Sequence, residues 1–109
     1  MKLQFDAEIN EDKIVNYLLK SRPKNDKSGF LNNAGYNQSN YHKLIEDLRN
    51  QILPLEATFQ RENPYGKIYS INGNLITPMN KILTIQTIWI VEYSSNKTRF
   101  ITLYPLKGE

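Results

Sequence analysis

The spacing of hydrophobic residues changes near Pro54 and divides the chain into two halves. Before Pro54, apolar residues recur three and four positions apart, as on one face of an α-helix. After it they alternate with polar residues, as in half-buried β-strands. The pattern predicts an α+β fold, with N-terminal helices packed on a four-stranded antiparallel β-meander. At 109 residues, the chain is expected to form a single domain spanning residues 1–109.

Three helices are predicted in the first half. The first begins after the N-cap Asn10 and is stopped by Pro23. A short helix runs from Lys27 to about Asn33, with Asp26 as its cap and Gly35 just past its end. The strongest helical pattern can be capped by Asn37, Ser39 or Asn40 and ends at Pro54. It places these residues on one face: Tyr41, Leu44, Ile45, Leu48 and Ile52.

Turn residues separate four predicted strands in the second half. Their alternation and β-branched content indicate strands over Leu55–Arg61, Lys67–Ile76, Lys81–Tyr93 and Arg99–Tyr104. Asn72-Gly73 falls inside the second strand and predicts either a bulge or a tight turn there.

Composition excludes several classes of site. The chain has no cysteine and one histidine, His42, so disulfides, thiolate chemistry and multi-histidine metal sites are excluded. No glycine-rich phosphate loop or compact pair of carboxylates is present, and we expect neither a metal nor a cofactor. The N-terminus lacks a signal-peptide pattern and apolar runs are short, so a cytoplasmic location without a membrane span is expected.

The formal net charge is +3, and its distribution is uneven. Acidic residues cluster over residues 6–12, whereas Arg22, Lys24 and Lys27 lie together after the first helix. Separated patches of this kind favour a polyanionic partner for the basic one. Ordinary solvated surface residues are the alternative.

Strand alternation suggests a candidate binding surface. Thr87 and Trp89 share one face of the third strand, and Thr102 and Tyr104 share one face of the fourth. If these faces coincide away from the helices, aromatic rings and hydroxyls form a surface suited to RNA bases and phosphates. The same alternation puts Arg99 on the opposite face. The alternative is that Trp89 belongs to the core, where tryptophan in a strand is often found.

Two segments carry a family resemblance: Lys27–Tyr36, and Thr87–Val91 followed by Arg99–Pro105. With the early helix and Pro64-Tyr65-Gly66, they resemble a family of small bacterial domains of unknown function, found alone and at the ends of polymorphic toxins. That family resembles the barnase–EndoU–colicin–RelE group of metal-independent endoribonucleases. The resemblance implies RNA cleavage by attack of the 2′-hydroxyl on the adjacent phosphate.

The resemblance also implies site residues. Lys27 would stabilise the phosphorane charge, Thr87 and Thr102 would hydrogen-bond phosphate oxygens, and Tyr104 would orient the nucleotide or donate a proton. Substrate-binding candidates around them, from charge and strand position, are Arg22, Lys24, Trp89, Arg99 and His42.

Family members usually carry His-Pro before the lysine, where this chain has Arg22-Pro23. His42 could replace that imidazole only if its helix faces the cleft. The expected partners are RNA and a small acidic antitoxin or immunity protein. The alternative function is a non-catalytic RNA- or protein-binding module, which includes the immunity partner itself.

Overall fold

The computed structural model describes residues 1–20 and 28–106. Its helices lie in the first half: α1 (Glu11–Lys13) continuing as a π-helical turn (Ile14–Leu18), α2 (Ser28–Asn33), a 3-10 turn (Gln38–Asn40), and α3 (Tyr41–Asp47) continuing as a π-helical turn (Leu48–Ile52). Its strands lie in the second: β1 (Thr58–Asn63), β2 (Gly66–Ile76), β3 (Ile82–Glu92) and β4 (Thr98–Pro105). All neighbouring strands are antiparallel, in the order β1-β2-β3-β4. The predicted α+β fold with a four-stranded meander is confirmed.

Short polar side chains begin the helices as predicted. The Asn10 side chain accepts the N–H of Lys13 at 3.2 Å. Asn37 accepts the N–H of Asn40 at 3.1 Å, while the Asn40 side chain accepts the N–H of Asn37. Gly35, with φ +103°, has the left-handed backbone that ends α2. The predicted Asp26 cap lies outside the described residues.

The first strand begins three residues later than predicted. The N–H of Leu55 bonds the carbonyl of Ile52 at 2.9 Å, so this stretch still closes the last helical turn. The N–H of Ala57 bonds the carbonyl of Met1 at 2.7 Å, so the backbone before Thr58 is engaged outside the sheet.

The predicted bulge or turn at Asn72-Gly73 is wrong. Both residues pair regularly with β3, opposite Gln86 and Ile85. A Cβ on Gly73 would stand 2.5 Å from Cδ1 of Leu55. Glycine is therefore used here to let the helical side approach the sheet closely, and not to turn the chain.

The core lies between the helices and one face of the sheet, hereafter the helix face. Its largest fully buried side chains include Trp89, Tyr36, Phe100, Ile14, Leu18, Leu31, Leu44, Leu48, Ile52, Ile71 and Leu75. The opposite sheet face, hereafter the outer face, is covered by no helix of the described residues. No helix in this part of the chain is long and apolar enough to cross a membrane.

The N-terminal segment covers one edge of the sheet. The backbone of Glu8 forms a parallel bridge with Arg99. Its N–H donates to the carbonyl of Thr98, and its carbonyl accepts from the N–H of Phe100, both at 2.8 Å. Edge strands with unpaired backbone groups invite pairing with other chains, so this segment protects β4.

Candidate functional site

Thr87 and Trp89 lie in the core, on the helix face, with no exposed surface. The Thr87 hydroxyl donates to the carbonyl of Ile71 at 3.0 Å and accepts from Nε1 of Trp89 at 2.8 Å. The sequence-predicted surface that combined these two residues with Thr102 and Tyr104 is therefore wrong. Alternation in β3 identified their shared face correctly, but that face is the one on which the helices pack.

A bulge in β4 moves Thr102 and Tyr104 to the outer face. Phe100 pairs with Trp89, but Thr102 pairs with the next β3 residue, Ile88, which leaves Ile101 without a partner. One extra residue reverses the alternation of side chains beyond it. Phe100 thus faces the core, while Thr102 and Tyr104 face away from it.

The bulge also changes the position of Arg99. Arg99 pairs with Ile90, and Thr102 with Ile88, so both share the outer face. The expectation that Arg99 lies on the other face of β4 from Thr102 and Tyr104 is wrong, because it assumed an uninterrupted strand.

A shallow groove of about 330 Å³ opens on the outer face. Its apolar floor consists of Ile68, Ile88 and Ile101, and its polar side chains are Gln60, Arg61, Gln86, Thr102 and Tyr104. Register places Tyr104 directly opposite Gln86, and Thr102 opposite Ile88. Tyr104 is 45% exposed, whereas Thr102 is buried at the groove wall.

The two arginines of the outer face differ in their electrostatics. Arg99 Nε is 3.1 Å from Glu8, and its Nη2 is 3.5 Å from Glu92, so its charge is compensated. Arg61 is exposed and forms no ion pair within residues 1–20 and 28–106. Of these two arginines, Arg61 is therefore the cation available to an anionic ligand in the groove.

Gln60 and Gln86 place amides in the same groove. Nε2 of Gln60 already donates to the hydroxyl of Ser70 at 2.7 Å. Gln86 is half-buried, and its side chain makes no hydrogen bond to any other described residue. Alternation along β3 placed Gln86 with Ile88 on one face, and that was the signal that could have identified it. Gln60 is the residue without a partner in a bulge of β1, after which Arg61 pairs with Ile68, and the sequence did not reveal this bulge.

His42 lies away from the groove. It is exposed on α3, with its ring 3.9 Å from that of Tyr41 at an interplanar angle of 31°. It lines a separate cavity of about 390 Å³ on the helical side, with Glu11, Glu46 and Arg49 among its neighbours. His42 could replace the family's imidazole only if its helix faced the cleft. Its helix does not face the outer groove, so this condition is not met there.

Arg22, Lys24 and Lys27 lie outside the described residues. Among the residues that the structure does describe, no three histidine, aspartate or glutamate side chains are grouped to hold a metal ion.

Residues 4–107 match a family described as a domain of unknown function, DUF6883. The chain belongs to this family. The DUF6883 match covers the helices, the whole sheet and therefore every residue of the groove. Comparison with curated proteins returned no match, and comparison with solved structures returned none either.

Proposed function

We propose that this DUF6883 domain binds RNA in the outer groove and cleaves it without a metal ion, as the toxin of a toxin–antitoxin or polymorphic toxin system. The observation that carries the proposal is the grouping of Arg61, Thr102 and Tyr104 around an apolar floor, on a sheet face that no described helix covers. A guanidinium, a hydroxyl and an aromatic ring are the groups that bind phosphate, sugar and unstacked base.

The reaction is transesterification within the substrate. The ribose 2′-oxygen attacks the adjacent phosphorus, its proton passes to a base, and the bond to the 5′-oxygen breaks as that oxygen gains a proton. Arg61 would compensate the charge on the phosphorane, and Thr102 would hydrogen-bond one of its oxygens. Tyr104 would stack on the base or protonate the leaving oxygen, and Lys27 would supply a second cation, as the family resemblance implies.

A non-catalytic RNA- or protein-binding module is the second candidate. The described residues that line the groove include neither an imidazole nor a carboxylate to accept the 2′-hydroxyl proton. Without such a base the same groups would hold RNA without cleaving it.

Incubation of the purified chain with total RNA in EDTA tests cleavage. We expect cleavage by the wild type and a loss of about 100-fold or more in Tyr104→Phe, if the phenol is the proton donor. Arg61→Ala should also lose activity, whereas Lys67→Ala, which removes an exposed cation from the other face of β2, should retain it. Tight RNA binding without cleavage would favour the binding module, and absence of both would overturn the proposal.

Expression in bacterial cells tests the toxin assignment separately. The wild type should arrest growth, Lys27→Ala and Tyr104→Ala should relieve the arrest, and a co-expressed acidic partner that covers the groove should do the same. Equal tolerance of the wild type and both variants would contradict the toxin assignment.

A further inference from the structure

Gln86 occupies the centre of a row of side chains that crosses the outer face. Register places it between Asn72 of β2 and Tyr104 of β4. Directly opposed residues in an antiparallel sheet have Cβ atoms about 4.5–5.5 Å apart, so the Gln86 and Tyr104 side chains are neighbours in the groove. A base stacked on Tyr104 would therefore present its edge to Gln86.

Both polar groups of the Gln86 amide are available to a ligand. It is half-buried beside the isoleucine floor, and no other described residue satisfies its carbonyl or its NH₂ group. A ligand that covers Gln86 removes its amide from water, so a ligand that satisfies both amide groups is preferred over one that satisfies only one. Gln60 differs, because its NH₂ group is already engaged by Ser70.

We propose that Gln86 is the specificity-determining residue of the groove and selects adenine in single-stranded RNA; this rests on the proposed RNA-binding function. An amide presents one donor beside one acceptor, which matches the N6 amino group and N7 of adenine in a bidentate contact. Guanine presents two acceptors, O6 and N7, at the same edge and leaves the amide carbonyl unmatched. At the corresponding edge the pyrimidines present a single hydrogen-bonding group, O4 of uracil or the N4 amino group of cytosine, and a smaller ring to stack on Tyr104.

Binding of four short single-stranded RNA probes tests this assignment. Each probe is a fluorescein-labelled 2′-O-methyl uridine oligonucleotide with adenine, guanine, cytosine or uracil at its centre, and the 2′-O-methyl groups prevent cleavage. We expect the adenine probe to bind about fivefold or more tightly than the others. Gln86→Ala should remove this preference, because it lowers the affinity for the adenine probe more than the affinity for the uracil probe.

Asn72→Ala is the matched control, because it removes an exposed amide next to Gln86 that does not line the groove. It should keep the adenine preference, and a thermal unfolding curve should show that Gln86→Ala is folded. Equal binding of all four probes by the wild type, with weaker binding by Arg61→Ala, would overturn adenine selection and leave RNA binding intact. Failure of the wild type to bind any probe would overturn both proposals.

Discussion

Tyr36 and Asp47 form a buried polar pair inside the helical half of the molecule. The Tyr36 hydroxyl donates to Oδ2 of Asp47 at 2.6 Å, and Nζ of Lys43 lies 3.1 Å from Oδ1. Both carboxylate oxygens thus have partners, which buried charge requires. Burial above all, and then the hydrogen bond and negative charge of Asp47, raise the pKa of Tyr36. The pair orients α3 against the turn after α2.

Replacing Tyr36 by phenylalanine should lower the free energy of unfolding by about 1–3 kcal/mol near neutral pH, because Asp47 loses a buried donor. The unfolded chain releases the tyrosine proton near its ordinary pKa of 10.0, while the folded state retains it. The stability that Tyr36 contributes is therefore complete below about pH 10 and is lost as pH rises above it. Urea denaturation should show the wild type and Tyr36→Phe converging above that pH.

The exposed Tyr65 offers the control for this pH dependence. Tyr65→Phe should follow the wild-type curve. If the free energies of unfolding of Tyr36→Phe and the wild type keep a constant difference through strongly alkaline pH, the Tyr36 proton does not contribute to stability in this way.

At the scale of elements, the bulge in β4 decides which side chains form the groove. Periodicity predicted the existence, order and approximate ends of β2, β3 and β4, and it grouped the β3 side chains correctly. It could not reveal that Ile101 has no partner, since an isoleucine suits a regular strand equally well. A single inserted residue therefore separated Thr102 and Tyr104 from Thr87 and Trp89, with which the predicted site had combined them.

Two single-residue deletions in β4 test the role of the bulge. Deleting Ile101 removes the residue without a partner and leaves Thr102 opposite Ile88, so the fold and the placement of Tyr104 on the outer face should largely persist. Deleting Leu103 removes a fully buried side chain and moves Tyr104 to the position opposite Thr87, on the helix face. The Leu103 deletion should lower the free energy of unfolding by about 2–5 kcal/mol or more and abolish RNA binding. Equal losses in urea denaturation would contradict this account of the register.

At the scale of the whole molecule, the two sides of the sheet differ in charge. On the helical side, the cavity that contains His42 is lined by two carboxylates, Glu11 and Glu46, and one cation, Arg49. The outer groove carries Arg61, and among its described lining residues there is no carboxylate. This polarity between the two cavities would favour a polyanion at the outer groove over the cavity that contains His42.

The salt dependence of RNA binding tests this polarity. The logarithm of affinity for single strands falls with the logarithm of salt concentration by about 0.7 for each phosphate neutralised. Arg61→Ala should reduce the magnitude of this slope by about 0.7, and Lys67→Ala on the other face should leave it unchanged. A titration of binding against KCl in which both variants keep the wild-type slope would exclude Arg61 as a phosphate contact.

The sequence by itself determined the α+β class, the cap at Asn10, the left-handed Gly35 and the alternation within β3, because these depend on neighbouring residues in the chain. Only the tertiary structure decided which face of the sheet the helices cover, because both faces of β3 carry apolar residues. It likewise decided that Thr87 and Trp89 are core, and that Gln86 and Arg61 meet Thr102 and Tyr104. Pairing between distant strands fixes these contacts, and no local pattern encodes the bulges that set their register.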